Sequence, residues 1–543
     1  MEISGTWEAG LQLPVQSADA VCPIPGLTLR YGKQVQIFET EQLFLAIEGA
    51  LFDRTPEELA ARIDLAQSAY GCFAYVWVDR RTRETIIGTD RLGFFPLYHA
   101  SEGGRFLFAT SVEPVLRQLA KRTPDYAAWE ELLTLGDIIG DKSTVKEITR
   151  LLPGTRIELS DGRVRLQRYW SLEFPDFVDR DTYITENNRL LDEAMALTSR
   201  HSASKVVLLS GGEDSRRLAI AAVRQNLPIS FCTQENTYTR DQAGPVDADL
   251  KLASHIAAVF ARPHVVSSMP DAERYFEDVL ERDACLAFEC SAHEWLLPAT
   301  RLLESPSLVY DGIVGDITVN SHYVRALPEG AFRADADART LARHVGGEDV
   351  PPWLAEIARM SGSRLIDRIE QAIRDLPASP HRLNGFFVLN HSRRKTATVL
   401  QLFGRRGHAT CYPFLYNPLF VQSLSLHPTE QRSVRLHKAC MEAVCPQMLA
   451  IPTTRDVPIP EQWLISRRDV TLRHEHVQFD RSIVSERAMD VFPSFRKRYR
   501  VIDAWRKLGG RRFSGRLDKS IRDFGWQLGA VARFSRFLQW LDA

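Results

Sequence analysis

Long apolar runs are missing from this 543-residue sequence. No stretch approaches the ~20 consecutive apolar residues that a membrane-crossing helix needs, so no membrane span is expected. Net charge is nearly missing too: 68 Lys and Arg stand against 69 Asp and Glu, leaving −1. No global field draws the whole molecule to nucleic acid or a lipid surface, and nucleic acid is not an expected partner. Cysteine is sparse and dispersed. The eight cysteines make no Cys-x-x-Cys pair and no Cys/His cluster with zinc spacing. Cys285 and Cys290, the pair worth weighing, read as small buried hydrophobes in a reducing compartment. The opening Met1-Glu2-Ile3-Ser4-Gly5 lacks the basic start and apolar core of a secretory signal, so the expected location is the cytoplasm.

What is present is the balance of a globular protein, 44% hydrophobic and 25% charged, in a chain too long for one core. To about Trp170 the chain reads as β-rich. Runs such as Phe73–Val78, Glu84–Ile87, Arg105–Phe108 and Arg163–Leu166 are separated by turn residues, among them Leu152-Pro153-Gly154 and Ser160-Asp161-Gly162. The polar stretch Ser171–Asp181 reads as a linker. From about Thr182 the pattern changes to helix Asn187–Thr198, strand Val206–Leu209, a glycine turn, helix Arg216–Gln225, strand Ile229–Cys232 and helix Asp249–Phe260. Strands alternating with helices predict a doubly wound parallel sheet. Beyond about Ala331 helix dominates. From Phe495 to Phe537 basic residues interleave with Trp505, Phe513, Phe524, Trp526 and Phe534. Such a patch suits an anionic partner, but the reading preferred here is a helical tail with its aromatics on the body and its basic residues in solvent.

Ser210-Gly211-Gly212-Glu213-Asp214-Ser215 directly follows an apolar strand and opens a helix. Phosphate binding needs that context: glycines let the backbone approach the ligand, and N–H groups at a helix start face negative charge. Ser210 and Ser215 add hydroxyl donors, and Asp214 can hold magnesium against phosphate oxygens. No Gly-Lys-Ser/Thr ending follows, which sets aside the common nucleotide P-loop.

The Ser-Gly-Gly-x-Asp-Ser string resembles the pyrophosphate loop of the N-type ATP pyrophosphatases. The rest of the chain resembles the asparagine synthetase family over residues 65 to 455. Gly71–Arg80, Thr89–Tyr98, Phe108–Ser111, Leu152–Gly154 and Arg168–Trp170 are similar to its N-terminal glutamine amidotransferase-like domain. Asp249–Ala253 with His264, Gly312-Ile313-Val314-Gly315-Asp316, Tyr412–Leu415 and Pro446–Pro452 are similar to its synthetase domain. The resemblance implies an α/β/β/α glutaminase-type (Ntn-like) sandwich over residues 1–170 and a doubly wound parallel-sheet ATP pyrophosphatase domain over 186–470. A basic helical C-terminal segment, 471–543, completes this α/β multidomain chain.

It further implies that ATP lies over the strand ends, with pyrophosphate on Ser210, Gly211, Gly212, Asp214 and Ser215. Adenine is expected near Leu208, Leu209, Phe231 and Cys232, and Gly312 belongs to the second phosphate loop. Asp214 and Asp316 are the expected magnesium ligands. The chain departs from the family in three places. Glu2 stands after Met1 where the glutaminase nucleophile is a cysteine, and Cys22 is internal, so glutamine hydrolysis is not expected. Ile313 occupies the position of the family's glutamate and cannot move a proton. A gapless reading puts Val434 at the family's lysine, with Arg435 and Lys438 as adjacent catalytic substitutes. Arg393, Arg394 and Lys395 form a further cationic cluster, either for phosphate or as a solvated helix face. Glu289 and Glu294 are candidates for facing the substrate, and His264 and His293 read as structural.

The function implied is ATP-dependent adenylation of a carboxylate, by family default aspartate, followed by attack of ammonia or an amine. AMP and pyrophosphate are released, and a homodimer is compatible. Alternatives are an amide synthetase or cyclase of the β-lactam synthetase or lasso-cyclase type, a nucleotide-binding protein without chemistry, and, on the basic tail alone, an RNA-modifying enzyme.

Overall fold

The computed structural model describes residues 2–8, 21–201, 203–235, 248–268, 272–289, 296–324, 327–346, 349–433, 435–456, 486–492 and 531–543. The expectations for Cys290, His293, Glu294, Val434, Trp505, Phe513, Phe524 and Trp526 lie outside them.

Alternating burial organises the first part. In Ile3–Glu8 the residues Ile3, Gly5 and Trp7 face inward and their neighbours are half-buried, the period of a strand with one packed face. This strand is central in a six-stranded antiparallel sheet, flanked by Arg105–Ala109 and Leu27–Tyr31. Gly5 is required there, because a Cβ at that position would lie 2.3 Å from the Phe108 ring. A second six-stranded antiparallel sheet runs from Arg163–Arg168 through Gly71–Asp79 to Gln36–Glu39. Trp7, Leu29, Phe44, Val76, Ile87 and Phe108 pack in one core between them. Helix Pro56–Ala61, opened by a Thr55–Glu58 capping box, covers the outer face of the second sheet through Leu59 and Ala60.

Within this unit Glu48 is 3% exposed and accepts from the Ile3 N–H at 2.8 Å and the Thr110 hydroxyl at 2.7 Å. Burial, opposed only in part by those bonds, pushes its carboxyl up to about 7 from 4.5. The folded state therefore holds a proton that the unfolded chain gives up, so this group's contribution falls as pH rises from 4.5 to 7. Glu48→Gln is expected to flatten that slope. Above pH 7 it should gain roughly 3 kcal/mol, the equivalent of the shift, with little change near pH 4; urea unfolding at both pH values checks it.

The third sheet has five strands in the order His264–Ser267, Ile229–Gln234, Ser204–Leu208, Ser307–Tyr310, Ala409–Cys411, all parallel. This agrees with the strand–helix alternation in the sequence. Helices Arg180–Leu197, Glu213–Arg224 and Asp249–Val259 bury Leu191, Leu218 and Leu252 with Val207, Phe231 and Leu308 of the sheet in one core. Among the described residues no helix is long and apolar enough to cross a membrane.

Arg393 and Arg394 correct the sequence reading. They are 1% and 2% exposed, and they neither face solvent nor line the cleft between the parallel strands. Their guanidinium groups hold carbonyl oxygens of the N-terminal part: Gly93 and Leu151 for Arg393, Ile138, Gly140 and Lys142 for Arg394. Glu289 is likewise not a substrate group. It is 4% exposed and takes the Arg394 Nη1 at 2.5 Å and the Tyr98 hydroxyl at 2.7 Å. The end of the chain also departs in part from expectation. Phe534 and Phe537 are fully buried, 4.8 and 4.9 Å from the Trp129 ring, so these aromatics do dock on the body. Arg533 and Arg536, however, pair with the buried Asp283 at 3.1 and 2.9 Å instead of facing water. Burial works against ionisation of Asp283, yet Arg282, Arg533 and Arg536 hold its carboxyl down at about 2.

Candidate functional site

The parallel sheet reverses its order between Ser204–Leu208 and Ser307–Tyr310. Loops leaving the carboxyl ends of two such strands diverge and leave a crevice, the usual ligand position in open α/β sheets. A cleft of about 260 Å³ lies there. Leu208, Leu209, Ser210, Asp214 and Ser215 wall one side, and Asp311, Gly312, Ile313 and Asp316 the other. Cys232, Thr233 and Gln234 close the end above the second strand.

The Ser210–Ser215 turn is held by its own polar groups. The Ser210 N–H donates to Ser215 Oγ at 3.0 Å, the Gly212 N–H to Ser210 Oγ at 3.1 Å, and the two hydroxyls lie 3.0 Å apart. The Gly211 N–H donates to Asp249 Oδ1 at 2.8 Å. A carboxylate thus already sits on an amide at a helix start, where an anion is favoured. The two loops touch: a Cβ on Gly312 would come within 3.0 Å of the Asp214 Cβ and the Ser215 nitrogen, and one on Gly315 within 2.8 Å of Asp214 Oδ1. Between those glycines Val314 adopts φ 83°. That is an outlier for a β-branched residue, of the order of 1–3 kcal/mol, and complete burial of Val314 in the adjoining core holds it.

Asp214 Oδ1 lies 2.5 Å from His437 Nε2. His437 is fully buried, and its Nδ1 faces the Arg217 Nη1 at 3.2 Å. A guanidinium only donates, so Nδ1 accepts and the ring proton sits on Nε2, hydrogen-bonded to the Gly315 carbonyl 3.1 Å away, with Asp214 Oδ1 beside it. Burial works to raise the Asp214 carboxyl, but His437 and then Arg455 outweigh it and keep the group below its ordinary range. Asp311 goes the other way. Burial, reinforced by the charges of Asp214 and Asp316, pushes it up to about 6.

Of the residues expected at the site, Leu208, Leu209, Ser210, Asp214, Ser215, Cys232, Gly312 and Asp316 share the cleft. Gly211 and Gly212 shape the loop without lining it. Phe231 faces the opposite side of the sheet and is fully buried in the core. Arg435 and Lys438 do not reach the cleft. Arg435 is instead ion-paired with Glu213 and Asp456, and Lys438 acts on Asp456 from a half-buried position. His264 donates to or accepts from the Thr233 hydroxyl at 2.8 Å, a structural contact. Sequence reasoning missed His437, Asp311, Thr233, Gln234 and the part played by Asp249. Asp311 directly follows the parallel strand Ser307–Tyr310, one residue before the Gly312 motif, and that position was a usable signal.

Comparison with known proteins adds a coarse statement. Residues 61–170 match the family described as a glutamine amidotransferase domain. A protein provisionally named asparagine synthetase [glutamine-hydrolyzing] 2, from Methanocaldococcus jannaschii, is 25% identical over 158 residues, 28% of this chain and 31% of that protein. Proteins provisionally named asparagine synthetase [glutamine-hydrolyzing] from Mycobacterium bovis and Mycobacterium tuberculosis are 25% identical over 228 residues, 40% of this chain and 35% of theirs. The matched stretches span about a third of the length of these relatives. A glutamine phosphoribosylpyrophosphate amidotransferase structure from B. subtilis aligns at 14% identity over 58% of this chain and 70% of that one; its TM-score, 0.19, carries no argument. The chain thus contains a glutamine amidotransferase-type segment and is similar, at low identity, to proteins of asparagine synthetase type.

Proposed function

We propose that this chain is an ATP-dependent amide-forming ligase: it adenylates a carboxylate, releases pyrophosphate and passes the acyl group to ammonia or an amine. The observation that carries the proposal is the meeting, in one cleft at the sheet's reversal point, of the Ser210 and Ser215 hydroxyls with Asp214 and Asp316. Hydroxyls and loop amides bind phosphate oxygens. The buried His437 lies against Asp214 and, with Arg455, keeps its carboxyl below the ordinary range. Cys232 is no nucleophile here, since burial pushes its thiol up to about 11.

Magnesium fits this donor set. Asp214, Asp311 and Asp316 crowd one cleft closely enough for two of them to raise the third, and a divalent cation relieves such repulsion. Among the described residues no group of three or more His, Cys, Asp or Glu side chains is spaced to hold a metal, so phosphate oxygens and water would complete the shell around Asp214 and Asp316. When bound, the ion supplies charge neutralisation as pyrophosphate leaves.

Glutamine hydrolysis is not part of the proposal. Six of the seven described cysteines are buried, and the seventh, Cys22, lies on the edge strand Val21–Ile24. Free ammonia, or an amine carried by the substrate itself as in the cyclase reading, is then the acceptor. The relatives' names make aspartate the first acid to try.

The test is exchange of labelled pyrophosphate into ATP by the purified chain with magnesium and a panel of amino acids and dicarboxylic acids. Exchange dependent on one acid is the expected result. ATP binding without exchange for any acid would make the chain a nucleotide-binding protein without this chemistry.

A further inference from the structure

Ile313 lines the cleft and cannot accept a proton, yet an amine that attacks an acyl group must lose one. A group able to take it lies beside the Asp316 helix, next to the residues that wall the cleft and not among them. Between helices Arg382–Phe387 and Arg393–Gly404 the backbone widens into a π-helical turn, Val388–Ser392. Such turns re-aim a side chain and recur at functional sites. Here the side chain is His391. Its Nδ1 is hydrogen-bonded to Asp137 Oδ2 and its Nε2 to the Tyr323 hydroxyl. Asp137 is 5% exposed, and its other oxygen, Oδ1, is buried without a hydrogen-bond partner. Tyr323 is 37% exposed, stacks on Phe387 at 4.8 Å and meets the His391 ring edge-on at 4.6 Å. It sits in the turn His322–Val324, packed against the short helix Gly315–Thr318 that bears Asp316.

We propose that Tyr323, His391 and Asp137 form a proton relay for the amine-attack half of the reaction, an inference that rests on the ligase reading above. Asp137 accepts the Nδ1 proton of His391 and fixes the tautomer, so Nε2 is free of hydrogen and receives the phenol's O–H. In the step itself the amine nitrogen bonds to the acyl carbon. The carbon–oxygen bond to AMP breaks, and AMP departs with the electron pair. The proton lost by nitrogen passes to the Tyr323 oxygen as the phenol's own proton passes to His391 Nε2. The imidazolium formed lies against the Asp137 carboxylate and returns its proton to water once the amide has left. Burial, then the charges of Asp316 and Asp137, push the Tyr323 phenol upward. Tyr323 therefore works by passing a proton on and not as a standing phenolate. Tyr323, in the turn packed against the Asp316 helix, is the member of the set on the cleft side, and His391 and Asp137 act through it.

The experiment compares wild type with Tyr323→Phe, His391→Gln and Asp137→Asn in the full chain. It uses the acid that gives the strongest pyrophosphate exchange, with ammonium chloride, methylamine or hydroxylamine as acceptor. The expected result is a fall in amide formation from ammonia and methylamine that exceeds any fall in exchange by about 10²-fold, the lower end of general-base contributions. Hydroxylamine, largely unprotonated at neutral pH, should lose less. Equal losses in exchange and transfer would make the cluster merely structural and overturn the relay, as would unchanged transfer. Absence of exchange by wild type with every acid of the panel would overturn the ligase reading itself, and the relay with it.

Discussion

Arg394→Ala is expected to lower stability by about 3–5 kcal/mol, the cost of breaking a buried ion pair from one side. Arg394 is 2% exposed and Glu289 4%, and their contact is 2.5 Å. Without the guanidinium, Glu289 keeps the Tyr98 hydroxyl as its one hydrogen-bond donor among the described residues, with the charges of Arg150 and Arg393 acting through space, and the carbonyls of Ile138, Gly140 and Lys142 lose their donor. Adding Glu289→Gln should recover the charge part of the loss and not the carbonyl part, so the double variant should lie between wild type and Arg394→Ala. Lysine should rescue poorly, because its ammonium is a point donor and cannot span three carbonyls as a planar fork does. Urea midpoints at constant pH check the series. A loss below 1 kcal/mol for Arg394→Ala would mean that water reaches this junction.

Asp214→Asn is expected to reduce pyrophosphate exchange by about 10²–10³-fold, the loss typical of removing one group that stabilises developing charge. The substitution keeps the shape and the oxygen that faces His437 Nε2, so thermal stability should move little. What it removes is negative charge held below the ordinary carboxylate range by His437 and Arg455, the property that suits Asp214 to a divalent ion. Asp316→Asn should act in the same direction. Arg435→Ala should instead lower stability and leave exchange less affected, because Arg435 is ion-paired with Glu213 and Asp456 outside the cleft.

The loop and its setting were legible because their signals are local. A β-branched run, a glycine pair and a following helix read correctly as strand, turn and helix. Even there the helix begins at Glu213 instead of Arg216, with Gly212 as its cap. Strand period would also have separated Phe231 from Cys232: neighbours on a strand face opposite sides, and only Cys232 reaches the cleft. His437 was hidden for a different reason. Helix Leu436–Val444 turns residue 437 inward and leaves Arg435 and Lys438 on its flanks, a choice made by packing against Phe414 and Arg217. Arg393 and Arg394 reversed their expected exposure because their partners are carbonyls some 240–300 positions earlier in the chain. Asp137, His391 and Tyr323 are brought together from three distant segments in the same way. Helix Arg180–Leu197 began inside the expected linker because Asp179 caps it, accepting from the Asp181 and Thr182 N–H groups.

The most direct measurement is a structure of the chain with magnesium and an ATP analogue carrying a methylene bridge between its α- and β-phosphates. The account predicts the phosphates between the Ser210–Ser215 turn and Asp316, with the metal on Asp214 and Asp316. A nucleotide bound elsewhere, or a cleft that stays closed around Asp249 and Asp311 at saturating analogue, would contradict it.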